Sequence, residues 1–138
     1  MTKPTPSFNP LLCIGGLLGL SAIAFGAYAE HGLKQHISPE SYHSVTIALQ
    51  YQLLHAVMVT IMGIVRCLPL QLASYRRIVW SAWLLIIGIC LFSFSIYGAA
   101  LTGEDSLKKL APLGGTILML AWLMLIMAAM NWSRKKHE

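Results

Sequence analysis

The chain has 138 residues, 57% of them hydrophobic and 11% charged, against the roughly 25% charged residues of ordinary soluble domains. Ten Lys and Arg against five Asp and Glu give a formal charge of +5, but the basic residues sit in short clusters between long uncharged stretches. This pattern excludes a soluble domain and a nucleic-acid-binding face, and it predicts an all-α membrane protein.

Four windows carry no formal charge: Pro4–Ala29, Ser41–Val65, Ile78–Gly103 and Leu110–Ser133. Each exceeds the ~20 residues a helix needs to cross the hydrocarbon. Helices are therefore expected at about 10–30, 39–66, 77–102 and 110–132, in a single transmembrane domain over 1–138. The short connections leave no separate soluble domain, so the fold reading is an up-down bundle of four transmembrane helices.

The first helix raises a processing question. Lys3, the apolar run Leu11–Ala24 and the triplet Ala27-Tyr28-Ala29 have the form of a secretory signal with a cleavage site. Gly15, Gly19, Ala22, Gly26 and Ala29, however, recur at spacings of three or four on one helical face. Such stripes let membrane helices approach closely, which a discarded signal does not need. Retention is the expectation.

The second helix has a legible start, with Ser38 as cap, Pro39 at the first position and Glu40 in the first turn. Arg66 and Pro69 mark its end. Small and polar residues recur every seven positions: Ser41, Ala48 and His55 in helix two, Ser81, Gly88 and Ser95 in helix three, and Gly114, Ala121 and Ala128 in helix four. That period suits antiparallel packing of neighbours. "APLGG", Ala111–Gly115, opens the fourth helix with a proline and glycines suited to tight contact. Phe25-Gly26-Ala27 and Tyr97-Gly98-Ala99 end helices one and three in similar fashion.

Charge placement orients the bundle. With the N-terminus inside, Lys3, Arg66, Arg76, Arg77, Arg134, Lys135 and Lys136 fall on the inner face. Lys34, Lys108 and Lys109 fall outside, beside Glu30, Glu40, Glu104 and Asp105. This asymmetry predicts that both termini are cytoplasmic, or on the matrix side if the membrane is an organelle's. Trp80 and Trp132 then lie at the inner interface, Tyr28 and Tyr42 at the outer. Cys13, Cys67 and Cys90 are too scattered for a disulfide framework and read as reduced packing residues.

Polar residues inside the spans are the candidates for chemistry. His55 lies about 21 Å of helix in from Ser41, close to mid-membrane. Tyr51 and Gln52, on the preceding turn, are its expected partners. Counting inward also places Cys90 and Met124 level with His55, a set that would suit a soft metal. Two His55 residues of a dimer are the corresponding haem option. His31 is too far along the membrane normal to share an ion with His55. The outer loop groups Glu30, His31, His36, Glu40 and His43 as a second candidate metal set. Ser93, Ser95 and Tyr97 in "FSFSIY" are expected in interhelical hydrogen bonds, with contact to a lipid or quinone headgroup as the functional alternative.

No phosphate-cradling glycine loop, CxxC, HExxH or nucleophile elbow occurs, and no acid or nucleophile pair converges at one depth. The expectation is a non-enzymatic structural or accessory bundle. Its partners are the lipid bilayer and another copy or a larger membrane complex, with no nucleic acid. The alternative is a membrane ligand-binding protein for metal, haem, quinone or lipid, using Tyr51 and His55 or the outer histidines. A proton path through His55 comes third, because broken helices and paired midplane charges are missing.

Four stretches together carry a family resemblance. Gly26-Ala27-Tyr28-Ala29-Glu30-His31-Gly32-Leu33, Tyr51-Gln52-Leu53-Leu54-His55, Phe92-Ser93-Phe94-Ser95-Ile96-Tyr97 and Pro112-Leu113-Gly114-Gly115 occur in the order and spacing of one family. The chain resembles domain of unknown function 423, small inner-membrane proteins of bacteria. The resemblance implies four membrane helices and an uncut first helix, and it supplies no activity. Glu30 and Phe94 depart from the family pattern, standing where small residues are expected. Phe94 is therefore expected to fill a groove in helix three.

Overall fold

A computed structural model describes residues 8–68 and 72–130. Lys3, Pro69, Trp132, Arg134, Lys135 and Lys136 lie outside the described residues. The described residues form helices α1 (Pro10–Tyr28), α2 (Pro39–Val65), α3 (Leu72–Ile89), α4 (Ser95–Thr102) and α5 (Ala111–Met130). A π-helical turn, Ala29–Leu33, extends α1, and another, Cys90–Phe94, joins α3 to α4. A 3₁₀ segment, Asp105–Leu110, leads into α5. Four continuous spans result: Pro10–Leu33, Pro39–Val65, Ser74–Thr102 and Asp105–Met130, each long and apolar enough to cross a membrane. The third helix begins at Leu72 rather than near 77.

Local chemistry sets the helix ends. Asn9 accepts from the Leu12 amide at 3.3 Å, capping α1, and its own amide donates to the Gly63 carbonyl of α2 at 2.7 Å. Ser38 caps α2 through the Ser41 amide, with Pro39 at the first helical position. Gly103, at φ 73°, ends α4 in the left-handed conformation that glycine adopts without steric cost.

α1 packs on α2 and α3 on α5, making two antiparallel hairpins joined along α2 and the third span. The second and third spans are central and bury 39% and 44% of their most apolar windows, against 22% for each flanking span. Within lipid the apolar surface gains nothing from burial, so close backbone approach and internal hydrogen bonds must hold the helices together. The small-residue stripe of α1 does face α2. A Cβ on Gly15 would run into Thr60, whose backbone nitrogen lies 2.8 Å away. Gly114 of α5 presses on the end of α3 and the π turn, where a Cβ would stand 2.8 Å from the Gly88 carbonyl oxygen and 2.9 Å from the carbonyl carbon of Leu91. Its neighbour Gly115 faces open space, so only the first glycine of the "APLGG" pair makes the expected tight contact.

Candidate functional site

The buried polar residues of the central spans are tied to neighbouring helices by hydrogen bonds. Gln52 of α2 is fully buried. Its Nε2 donates to the Leu18 carbonyl and the Ser21 hydroxyl of α1, both at 2.9 Å. Its Oε1 accepts from the Tyr97 hydroxyl of α4 at 2.8 Å. The carbonyl of Leu18 can only accept, which fixes the orientation of the amide. Gln52 thus ties three spans together, and the Tyr97 ring closes the gap by packing 4.3 Å from the Phe25 ring.

One turn further in, His55 is 2% exposed. Its Nδ1 lies 2.7 Å from the Tyr51 carbonyl, and the Trp122 indole donates to its Nε2 at 3.2 Å. A carbonyl can only accept and an indole N–H can only donate, so the imidazole is neutral with its proton on Nδ1. Both ring nitrogens are occupied. A metal or haem iron at Nε2 would first have to displace Trp122.

The remaining serines connect neighbouring helices. Ser93, within the π turn, donates to the Ala48 carbonyl at 2.9 Å, and Ser81 donates to the Ala121 carbonyl at 2.7 Å. Ser74 reaches the Ala128 carbonyl at 3.5 Å. Ser95 instead donates within its own helix, to the Phe92 carbonyl at 3.0 Å. Among the described residues no buried side-chain nitrogen or oxygen is left without a partner.

Several expected groupings do not form. Met124 lines a groove with Arg76, Arg77 and Trp80, and Trp122 takes the place beside His55. Cys90 packs against apolar core residues. Gln52, expected as a partner of His55, is used by α1 and α4. Phe94 is 44% exposed and points outward, filling no interior groove. The signal for Trp122 was present in the sequence: an indole N–H deep in a span must find an acceptor.

The outer loop is organised around one carboxylate. Glu30 accepts from Lys34 at 2.6 Å and from the Tyr42 hydroxyl, and the Lys34 ammonium lies 5.1 Å from the centre of the Tyr42 ring. The Glu30 carboxylate beside it holds the Lys34 ammonium above its ordinary pKa. Gly32 offers its carbonyl to His36 Nδ1 at 2.7 Å. His31, Glu40 and His43 are exposed on the surface. Among the described residues, no three His, Cys, Asp or Glu side chains are gathered to hold a metal ion. Ala29 and Leu33 are buried in the core beside Val45 and Tyr97, so "GAYAEHGLK" is built into the bundle.

Four apolar spans stitched by internal hydrogen bonds define a small polytopic helical membrane protein. The chain belongs to the DUF423 family, described as a protein of unknown function, whose model matches residues 25–115. The chain is 31% identical over 122 residues to the UPF0382 membrane protein YwdK of Bacillus subtilis, covering 88% of this chain and 96% of that one. A UPF0382 membrane protein of Haemophilus influenzae is 31% identical over 117 residues, covering 85% and 90%. One from Staphylococcus epidermidis is 29% identical over 122 residues, covering 88% and 96%. No solved structure shows significant similarity to the chain. Residues 25–115 include Gln52, His55, Ser93 and Tyr97, and Trp122 lies beyond them.

Proposed function

We propose that the protein is a non-enzymatic structural or accessory bundle of the bacterial inner membrane, with both termini cytoplasmic, that packs with a second copy or a larger membrane complex. One observation carries this reading: the polar interior is closed on itself. Gln52, His55, Ser81, Ser93, Tyr97 and Trp122 all answer one another or neighbouring carbonyls, and among the described residues no buried side-chain nitrogen or oxygen is left without a partner. The charge asymmetry between the two ends supports the orientation. Gentle extraction followed by native mass spectrometry tests the role. A defined oligomer or a bound subunit is expected, and recovery of a lone monomer overturns the proposal.

A second reading has one observation in its favour. Tyr51 is 44% exposed on the lipid-facing surface, with its ring 4.9 Å from Phe92 and 6.0 Å from His55. Its hydroxyl, deep in the span, is available to a quinone or lipid headgroup. Co-purification of such a molecule, lost in Tyr51→Phe, would favour ligand binding over the accessory role.

A further inference from the structure

At the end of the bundle that holds Asn9 and Met130, the first turns of α3 carry two successive arginines. Arg76 and Trp80 are one turn apart and share a face. Arg77 turns toward α5, where its Nη1 donates to the Met127 carbonyl at 3.0 Å. Between α3 and α5 lies a groove of about 290 Å³ lined by Arg76, Arg77, Trp80 and Met124. The bond to Met127 holds the Arg77 guanidinium at the groove and uses one of its five N–H donors.

Among the described residues, neither arginine is matched by an acid. The ion pairs among the described residues are Lys34–Glu30 and Lys108–Asp105, both at the opposite end. Glu40 and Glu104 are also there, and the fifth acidic residue, Glu138, lies outside the described residues. The interior of the bundle answers its polar groups with internal partners, whereas this groove holds two positive charges with no anion among the described residues. Its other lining is of a different kind. Trp80 is 60% exposed, an amphipathic ring of the kind that favours the level where headgroups meet hydrocarbon, and Met124 adds an apolar surface.

We propose that the groove binds the phosphate of an anionic glycerophospholipid, with Arg76 and Arg77 on the phosphate and Trp80 and Met124 along the start of the acyl chains. The guanidinium fork suits a phosphate's oxygens. The apolar half of the lining selects a phosphate that brings hydrocarbon with it over a free one. An inward basic end would face the leaflet that is rich in anionic lipid. The inference stands apart from the accessory role, since a monomer or an oligomer would bind the lipid alike.

The test uses the full-length protein in mild detergent, offered phosphatidylglycerol and phosphatidylcholine of the same acyl chains in equal amounts. Native mass spectrometry counts the lipids retained. Phosphatidylglycerol should be preferred, and Arg76→Gln should cut that preference about fivefold, the size of one basic residue's attraction near an anionic surface. Arg76→Gln with Arg77→Gln should abolish it, and Lys108→Gln at the other end should leave it intact. Arg77→Gln also removes the bond to Met127. Arg76→Gln, which breaks no hydrogen bond among the described residues, therefore decides the matter if the double variant does not fold. Equal retention of the two lipids, or a preference unchanged in Arg76→Gln, overturns the proposal. Displacement of phosphatidylglycerol by millimolar inorganic phosphate would assign the groove to a soluble anion and overturn it as well.

Discussion

Trp122 and His55, 67 positions apart in the chain, meet through a 3.2 Å hydrogen bond from the indole Nε1 to the imidazole Nε2, their rings edge to face at 72°. The contact joins α5 to α2 across the bundle and settles the tautomer of the histidine. With the Tyr51 carbonyl on Nδ1, it gives both ring nitrogens of His55 a partner within the bundle.

Breaking that contact from either side should cost similar amounts. Trp122→Phe and His55→Leu are each expected to destabilise the bundle by about 1 kcal/mol, within the range of hydrogen bonds inside membranes. The double variant should lose less than the sum, because the shared bond can be lost only once. Unfolding curves in mixed micelles measure all three, and strict additivity would mean that the bond contributes nothing.

Gln52 makes three bonds where most of the other polar residues make one. Gln52→Leu should therefore destabilise by about 2 kcal/mol, and Tyr97→Phe, which removes a single bond, by about 0.6 kcal/mol. The same unfolding measurement ranks them. A Gln52→Leu variant as stable as Tyr97→Phe would show that the bonds to α1 carry no weight.

Two adjacent glycines should behave differently. Gly114→Ala places a methyl group against the backbone of the π turn and should cost about 1–3 kcal/mol. Gly115→Ala meets nothing within 4 Å and should be neutral or slightly stabilising through helix propensity. A thermal shift assay in detergent distinguishes the two, and equal shifts would contradict the packing of α5 on the third span.

The pair Lys34–Glu30 has a defined pH signature. Its hydrogen bond to Glu30 raises the folded-state pKa of Lys34 above the ordinary lysine value of 10.5. The contribution of the pair is thus fully present below 10.5 and is lost as the pH rises through the folded value. The stability difference between the native chain and Lys34→Met should hold from neutral pH to about 10 and close above 10.5. A gap that closes near pH 7 would contradict it.

Much of the architecture is legible in the sequence. The four uncharged windows mark the four spans, Ser38-Pro39 marks the start of α2, and the stripe from Gly15 to Ala29 marks the face that α2 covers. These features depend on hydropathy, on local capping and on the 3.6-residue period, all of which a linear chain displays. Position along each helix axis is legible too, because each residue advances the helix by a fixed rise.

What only the tertiary structure decided is which polar side chains meet. Each residue rotates a helix by about 100°, so a one-residue error in register carries a side chain from the interior to the lipid. Counting inward puts Met124 level with His55, yet it is Trp122, two residues earlier on α5, that faces the imidazole, while Met124 lines a groove with Arg76, Arg77 and Trp80. The π turn at Cys90–Phe94 shifts the phase again within the third span, turning Ser93 inward to Ala48 and leaving Phe94 outward. Hydropathy determines that these helices cross a membrane, but it is blind to rotation about their axes. Rotation is set by backbone contact at glycine and by the few hydrogen bonds that lipid cannot replace.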